Sequence, residues 1–426
     1  METVRIVTQW IGGGRFTGWS GRTRGEAVLV LATRAVTAGS GVIFVLLTAR
    51  HLGPTGRGEI TIAFTIAYIT AHLVSLGTTT SGRIHLLAPN DPVTANDFCS
   101  LTVALLPFQG ALATVVIGVL SWTTLHTTTS FMLAVIGLST ATMMFRSAVS
   151  VLYGLRRYRE VLVAETGIAV LEVGTLTLLL ATGRLTTTTA VTTMAIGSAL
   201  CAVWLVRQPD VLKRGWRDNA SMANWRTLIV DGVSPMVGGL LFFLALRIDR
   251  LILAIVAGAD SVGLYTVALA FPETLRILPM AVGQVMADRG RSGIDSAALV
   301  RMRGRLAVMG YFLILGIATM VGWFLLPMVF GEGFREARDV LVIVTVAEAF
   351  LSVHLMQQVL LIGFGRPRSI GVPTTVGGVV VIVLDLVMIP AWGIHGAAWA
   401  AVVGYGVLSL MSVLWTGRNL TKTNAI

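Results

Sequence analysis

Charge is scarce in this 426-residue sequence: only 12% of its residues are Asp, Glu, Lys or Arg, while 55% are apolar. A soluble chain carries roughly twice that charged share, so a water-soluble globular protein is excluded and a polytopic membrane protein is indicated. Cysteine is nearly absent. Cys99 and Cys201 stand alone, without a CxxC partner, which excludes a disulfide framework and a cysteine zinc site. The six histidines are scattered and form no HExxH pair, and no segment outside the apolar runs is long enough for a soluble catalytic domain. No cofactor motif is visible, and no enzyme is expected. Lysine is almost missing too: of 32 basic residues only Lys213 and Lys422 are lysines. The net charge of +11 reads as loops facing anionic membrane lipid and not as a nucleic-acid surface.

A membrane span needs about 20 mainly apolar residues. The hydropathy pattern predicts twelve, over 28–49, 60–86, 99–120, 130–153, 161–182, 187–206, 227–256, 262–287, 304–330, 338–362, 370–390 and 395–416. With the N-terminus inside, the inner segments hold 22 of the 32 basic residues, the outer loops 5, and the spans the other 5. That asymmetry predicts that both termini are cytoplasmic. The predicted organisation is a cytoplasmic tail over 1–27, six spans over 28–206, a basic linker over 207–226, six spans over 227–416 and a short tail over 417–426. The linker, with Trp216 and Trp225, suits an amphipathic segment on the inner leaflet. Pro235, Pro272 and Pro279 are expected bend points. Threonine-rich patches at 127–129 and 186–189 carry no specific signal.

One short stretch occurs twice. HLGPTGRGEIT at 51–61 is echoed 205 residues later by VAGADSVGLYT at 256–266, with Gly53 matched to Gly258 and Gly58 to Gly263. Each copy joins two long apolar runs, the pattern of a duplicated bundle with two related halves, which is common among transporters.

A charge inside a span costs about 2.5–3.5 kcal/mol at mid-membrane, so each one is a functional candidate. Arg34 lies about two turns into the first span, and Arg146 could reach the inner surface from the fourth. Span seven ends in RIDR: on a helix Arg247 and Arg250 are about 60° apart and Asp249 about 100° further round, a cluster on one side that suits a hydrated cavity. Glu273 and Arg276 are spaced i,i+3, which also allows an intrahelical ion pair. Glu165 and Glu172 share a face of span five, while Glu348 and Asp385 sit in spans ten and eleven. Buried carboxylates can take up protons or sodium ions, so Asp249, Glu172, Glu273, Glu348 and Asp385 are candidates for ion coupling to H+ or Na+.

Four stretches, TARHLGPTGRGE at 48–59, YGLRRYRE at 153–160, RIDRLILAIVAGADSVGLYTVALAF at 247–271 and IPAWGIHGAAWAAVVGYG at 389–406, resemble the multidrug/oligosaccharidyl-lipid/polysaccharide exporter superfamily. Within it the closest likeness is to bacterial polysaccharide-repeat-unit flippases. The resemblance implies an all-α membrane fold of twelve helices in two six-helix lobes around a central cavity. It also implies movement of an undecaprenyl-pyrophosphate-linked oligosaccharide from the inner to the outer leaflet of the bacterial cytoplasmic membrane by alternating access. Contacts with polysaccharide biosynthesis enzymes would follow. Arg34, Arg247, Arg250 and Arg276 are then candidates for the pyrophosphate, since guanidinium binds phosphate oxygens in pairs and keeps its charge. Lipid II flippases often carry fourteen spans, which sets this chain apart from them. The alternative is a cation-coupled drug antiporter of the same superfamily, which an acidic cavity would favour.

Overall fold

The computed structural model describes residues 21–88, 90–208, 211, 221–276, 278–280, 282, 283, 286, 297–363 and 370–421. The tail over 1–20, most of the linker with Trp216, and residues 422–426 lie outside the described residues, as does any test of the linker as a surface helix. Every regular element described is helical. The helices are α1 (Gly21–Val74), α2 (Thr78–Leu87), α3 (Ala95–Leu120), α4 (Thr129–Gly154), α5 (Tyr158–Ala181) and α6 (Thr187–Val206). They continue as α7 (Met222–Ala245), α8 (Ile248–Thr274), α9 (Ala297–Phe330), α10 (Ala337–Gly363) and α11 (Gly371–Thr421). Helices suit a bilayer because each satisfies its own backbone hydrogen bonds. Among the described residues, eight are long and apolar enough to cross a membrane, and the protein is a multi-pass membrane protein.

The two longest candidates are each a hairpin. In α1 the backbone leaves helical geometry at Gly53, and the rings of Phe44 and Phe64, one on each arm, meet edge to face at 6.0 Å. In α11 the break is at Gly393, and the arms close so that Gly404 packs on Val381 and Gly377 on Leu408. Predicted span one and the first part of span two, and spans eleven and twelve, are therefore the arms of two bent helices; span two, expected over 60–86, breaks at Leu76 and Gly77, and its last part is α2. Span seven differs from expectation. Its helix runs on through Pro235 and stops at Ala245, then restarts at Ile248 after a turn at Leu246 and Arg247. Pro272 falls in the last turn of α8, which ends at Thr274.

The chain forms two compact units. One contains residues 29–240 and 258–263. Its core is built from Phe98, Leu101, Val151, Leu152, Leu205 and Leu228, with Trp225 packed against it. The start of α7 is held there by polar contacts. Asp97 closes a capping box with Thr94 and also accepts from the Ser221 amide at 2.7 Å and the Asn224 side chain at 2.9 Å. The Trp225 indole donates to the Ser100 hydroxyl at 3.0 Å. The threonine patches have a local use as well: Thr128 caps α4 and Thr186 caps α6, each supplying an acceptor for an amide of the first turn. The other unit holds residues 241–257 and those from 264 onward, with the few before Leu29. There α10 packs on both arms of α11 around Leu351, Val381, Tyr405 and Leu408.

The duplicated motif meets itself inside the first unit. Gly53 has φ 68° and ψ −172°, and its counterpart Gly258 has φ 79° and ψ 176°, a left-handed region that glycine adopts without Cβ strain. A Cβ on Gly58 would run into the carbonyl of Ala259, and one on Gly263 would run into the carbonyl of Pro54. Ala259 is the counterpart of Pro54, so the two contacts are the same contact read from either copy. Between them the Thr55 hydroxyl donates to Asp260 at 3.2 Å, across a sequence separation of 205 residues.

Candidate functional site

The second unit gathers most of the charges that the sequence places within spans. Because α8 folds back at Gly258, its first turn and its last turn come together. Arg247 stands just before the N-terminus, at the N-cap position, and Glu273 lies one residue from the C-terminus. The Arg250 guanidinium donates to Glu273 Oε2 at 3.3 Å, Arg276 donates to Oε1 at 3.0 Å, and an Arg247 nitrogen lies 3.6 Å from Oε1. Arg276 also forks onto Glu348 of α10, through Nε at 2.7 Å and through Nη2. Glu348 is fully buried and Arg250 is 4% exposed, while the Arg247 side chain is 37% exposed. The network is thus closed on its α10 side and reachable on its Arg247 side.

These ion pairs hold one another in place. A charge at this depth is tolerated when it is paired and hydrogen-bonded, and removing one member strands the rest. The expected i,i+3 pair of Glu273 and Arg276 is present, but Arg276 has already left the helix and reaches two carboxylates. The wheel drawn for RIDR is broken by the turn at Leu246–Arg247, so the three charges diverge: both arginines reach Glu273, while Asp249 is buried and accepts from the Arg250 amide at 2.8 Å.

Beside this network lies a second, acidic group. Asp385 of α11 is buried, and its Oδ2 finds no hydrogen-bond partner among the described residues. Asp249 is near enough to act on it electrostatically. Two buried tyrosines, Tyr265 and Tyr405, complete the surroundings, and Tyr265 is within hydrogen-bonding reach of Asp249. Two carboxylates and two phenol oxygens form the kind of hard-oxygen set that a proton or an alkali cation prefers. Neither tyrosine is singled out by sequence. A tyrosine in an apolar span looks like core until the fold shows what its hydroxyl faces.

Arg34, Glu165 and Glu172 belong to the other unit and are spread more thinly. Arg34 is exposed on the first arm of α1. Glu165 accepts from the Thr37 hydroxyl at 3.2 Å, one turn along the same arm. Glu172 is half-buried on α5, beside Gly197 of α6. Arg146 stacks 5.2 Å over the Tyr68 ring. Buried close by, Gln109 donates to Thr70 at 2.8 Å and to the Ser139 carbonyl at 3.2 Å.

A further trio that sequence reasoning missed lies on α2, beyond the crossing-length helix that ends at Val74. The His85 ring bridges Asp91 at 2.8 Å and Asp231 of α7 at 3.0 Å. Burial alone would lower the His85 pKa, but the hydrogen bonds to both aspartates outweigh it and raise it; the same His85 bond lowers the pKa of Asp91. Both ring nitrogens face carboxylates, and only the imidazolium can donate from both.

No family model and no curated protein matches the sequence. Solved structures do match the fold. The inward-facing form of a multidrug resistance MATE family transporter of the MOP superfamily superposes with a TM-score of 0.71 at 12% identity, over 93% of this chain and 99% of the other. The lipid II flippase MurJ, in an inward closed conformation, gives 0.68 at 12% identity over 91% of this chain and 87% of the other. A MOP superfamily transporter from Pyrococcus furiosus, described as having reversed binding-pocket polarity, gives 0.58 at 14% identity over 93% and 96%. The expected all-α membrane fold is therefore the fold observed, and it is one that drug transporters and a lipid flippase share.

Proposed function

We propose that this chain flips a lipid-linked oligosaccharide, carried on undecaprenyl pyrophosphate, from the inner to the outer leaflet of a bacterial cytoplasmic membrane by alternating access. The observation that carries this reading is the convergence of Arg247, Arg250 and Arg276 within one membrane-embedded network, with Arg247 on its accessible side. All three guanidiniums already converge on one carboxylate, Glu273, and a pyrophosphate is an anion of matching geometry for such a cluster. Arg34, exposed on the first arm of α1, is proposed as a separate candidate for the pyrophosphate. The likeness to a lipid II flippase supports a lipid-linked substrate. Both termini are proposed to be cytoplasmic, with the basic loops against anionic lipid and near the enzymes that build the glycan.

Asp249 and Asp385 are proposed as the coupling site for H+ or Na+, and Glu172 as a second acidic position. The same acidic pair favours the runner-up, a cation-coupled drug antiporter, for which the MATE likeness speaks.

The test is leaflet accessibility of an undecaprenyl-pyrophosphate glycan in proteoliposomes. Wild type should translocate it, and Arg247→Gln and Arg34→Ala, both exposed positions, should each reduce the rate at least tenfold without loss of folded protein. Efflux of organic cations with no movement of the lipid would replace this reading with the antiporter.

A further inference from the structure

Among the membrane-embedded carboxylates, Glu273 has an unusual set of neighbours. Arg276 lies 3.0 Å from it, Arg250 3.3 Å and Arg247 3.6 Å; Arg276 is also held by Glu348, so Glu273 is the carboxylate that all three share, and Arg250 Nε still has no hydrogen-bond partner among the described residues. Its own helix does not favour it there. Glu273 sits in the last turn of α8, where the dipole presents its negative end and a carboxylate is disfavoured. The arginines therefore hold Glu273, and α8 does not. Glu348 is different: it is fully buried, binds Arg276 as a two-point fork, and fixes the direction in which that guanidinium points. Glu273 is also on the accessible side, with its side chain 28% exposed next to Arg247.

We propose that Glu273 is a built-in stand-in for an anionic ligand, keeping Arg247, Arg250 and Arg276 converged until a pyrophosphate group displaces its carboxylate and takes its place. The inference rests on the flippase reading for the identity of the anion. A pyrophosphate brings more oxygens and more negative charge than a carboxylate, so it can satisfy three guanidiniums where Glu273 satisfies them in part. The long, unbranched glutamate side chain can swing aside while its backbone stays helical. Glu348 is then a positioning residue, which keeps Arg276 aimed at the site as Glu273 leaves. The arrangement also spares the resting network an uncompensated cluster of positive charge at membrane depth.

The test is calorimetric titration of the purified full chain in detergent with inorganic pyrophosphate. Glu273→Gln removes the competitor and is expected to bind pyrophosphate at least tenfold more tightly than wild type. Arg247→Gln is expected to weaken binding at least tenfold in either background. Glu273→Asp keeps the charge but shortens its reach, and an intermediate affinity is expected; it carries the test if the glutamine variant does not fold, and an affinity equal to wild type overturns the proposal. Pyrophosphate binding that is no tighter in Glu273→Gln, yet still weakened by Arg247→Gln, overturns the stand-in and leaves the anion site standing. Asp385→Asn tightening binding as much as Glu273→Gln also overturns it, because a nearby charge that touches no arginine would then suffice. Absence of pyrophosphate binding in every variant removes the flippase reading and this inference with it.

Discussion

Glu165 and Glu273 both lie within spans expected from the sequence and both are partly exposed, yet Glu165 meets one threonine hydroxyl, with Arg34 acting on it only electrostatically, and Glu273 meets three guanidiniums. The same contrast holds for the arginines around them. Arg34 is exposed on its helix, whereas Arg250 and Arg276 are locked into a network with Glu273 and the fully buried Glu348. Charge in a membrane protein can thus be managed in two ways. It can be spread singly, where water or a polar neighbour reaches each group, or it can be condensed so that each group compensates the next. The first arrangement tolerates removal of one member, and the second does not.

The most damaging way to break the contrast is at Glu348. Glu348→Ala leaves Arg276 without its fork and should cost about 3–5 kcal/mol, read as a fall in thermal unfolding temperature in detergent. Adding Arg276→Met should recover much of that loss, since no buried guanidinium is then left without its partner. Failure of the double variant to recover would show that the network is not self-contained. Where the two sequence halves agree instead of differing, at the repeated motif, Gly58→Ala and Gly263→Ala should each cost about 1–3 kcal/mol by forcing backbone apart. The two losses should be alike, and a silent variant at either position would break the reciprocity. Removing Glu165 should matter far less: Glu165→Ala gives up one hydrogen bond from Thr37, about 0.5–1.5 kcal/mol at most.

The smallest expected effect is that of pH on His85. Its folded pKa is raised, by hydrogen bonds to Asp91 and Asp231 that outweigh burial, so its contribution is fully present below the unfolded value near 6.5 and is lost as pH rises through the folded value. Unfolding temperature measured on either side of that window should show a small drop that Glu348→Ala preserves and His85→Gln abolishes. A drop unchanged in His85→Gln would assign the titration to another group.

Much of this was legible beforehand. Long apolar runs marked the crossing helices, the 205-residue echo marked the paired turns, and every charge in the Glu273 network stood out as a charge within a span. Their partners were not legible, because a helical wheel places side chains around one straight axis, and α8 folds back at Gly258. That reversal brings Arg250 to Glu273 across 23 residues, while only tertiary packing brings Arg276 to Glu348 across 72. The break in span seven was hidden for a related reason. Pro235 is the obvious weak point, yet the helix continues through it and ends where Arg247 turns toward Glu273. Tyr265, Tyr405 and the His85 trio were invisible because their chemistry depends on neighbours distant in sequence. The threonine caps are the opposite case, a local signal present in the sequence and passed over as bland.

The contact between the repeated turns has one more consequence. Gly58 on Ala259 and Gly263 on Pro54 are a single contact made twice, with Thr55 and Asp260 at the position shared by both. That is the signature of an isologous interface, in which one patch is its own complement. Each copy therefore offers the other the same patch that it receives, so a change that enlarges one glycine displaces the backbone of its counterpart's copy as well.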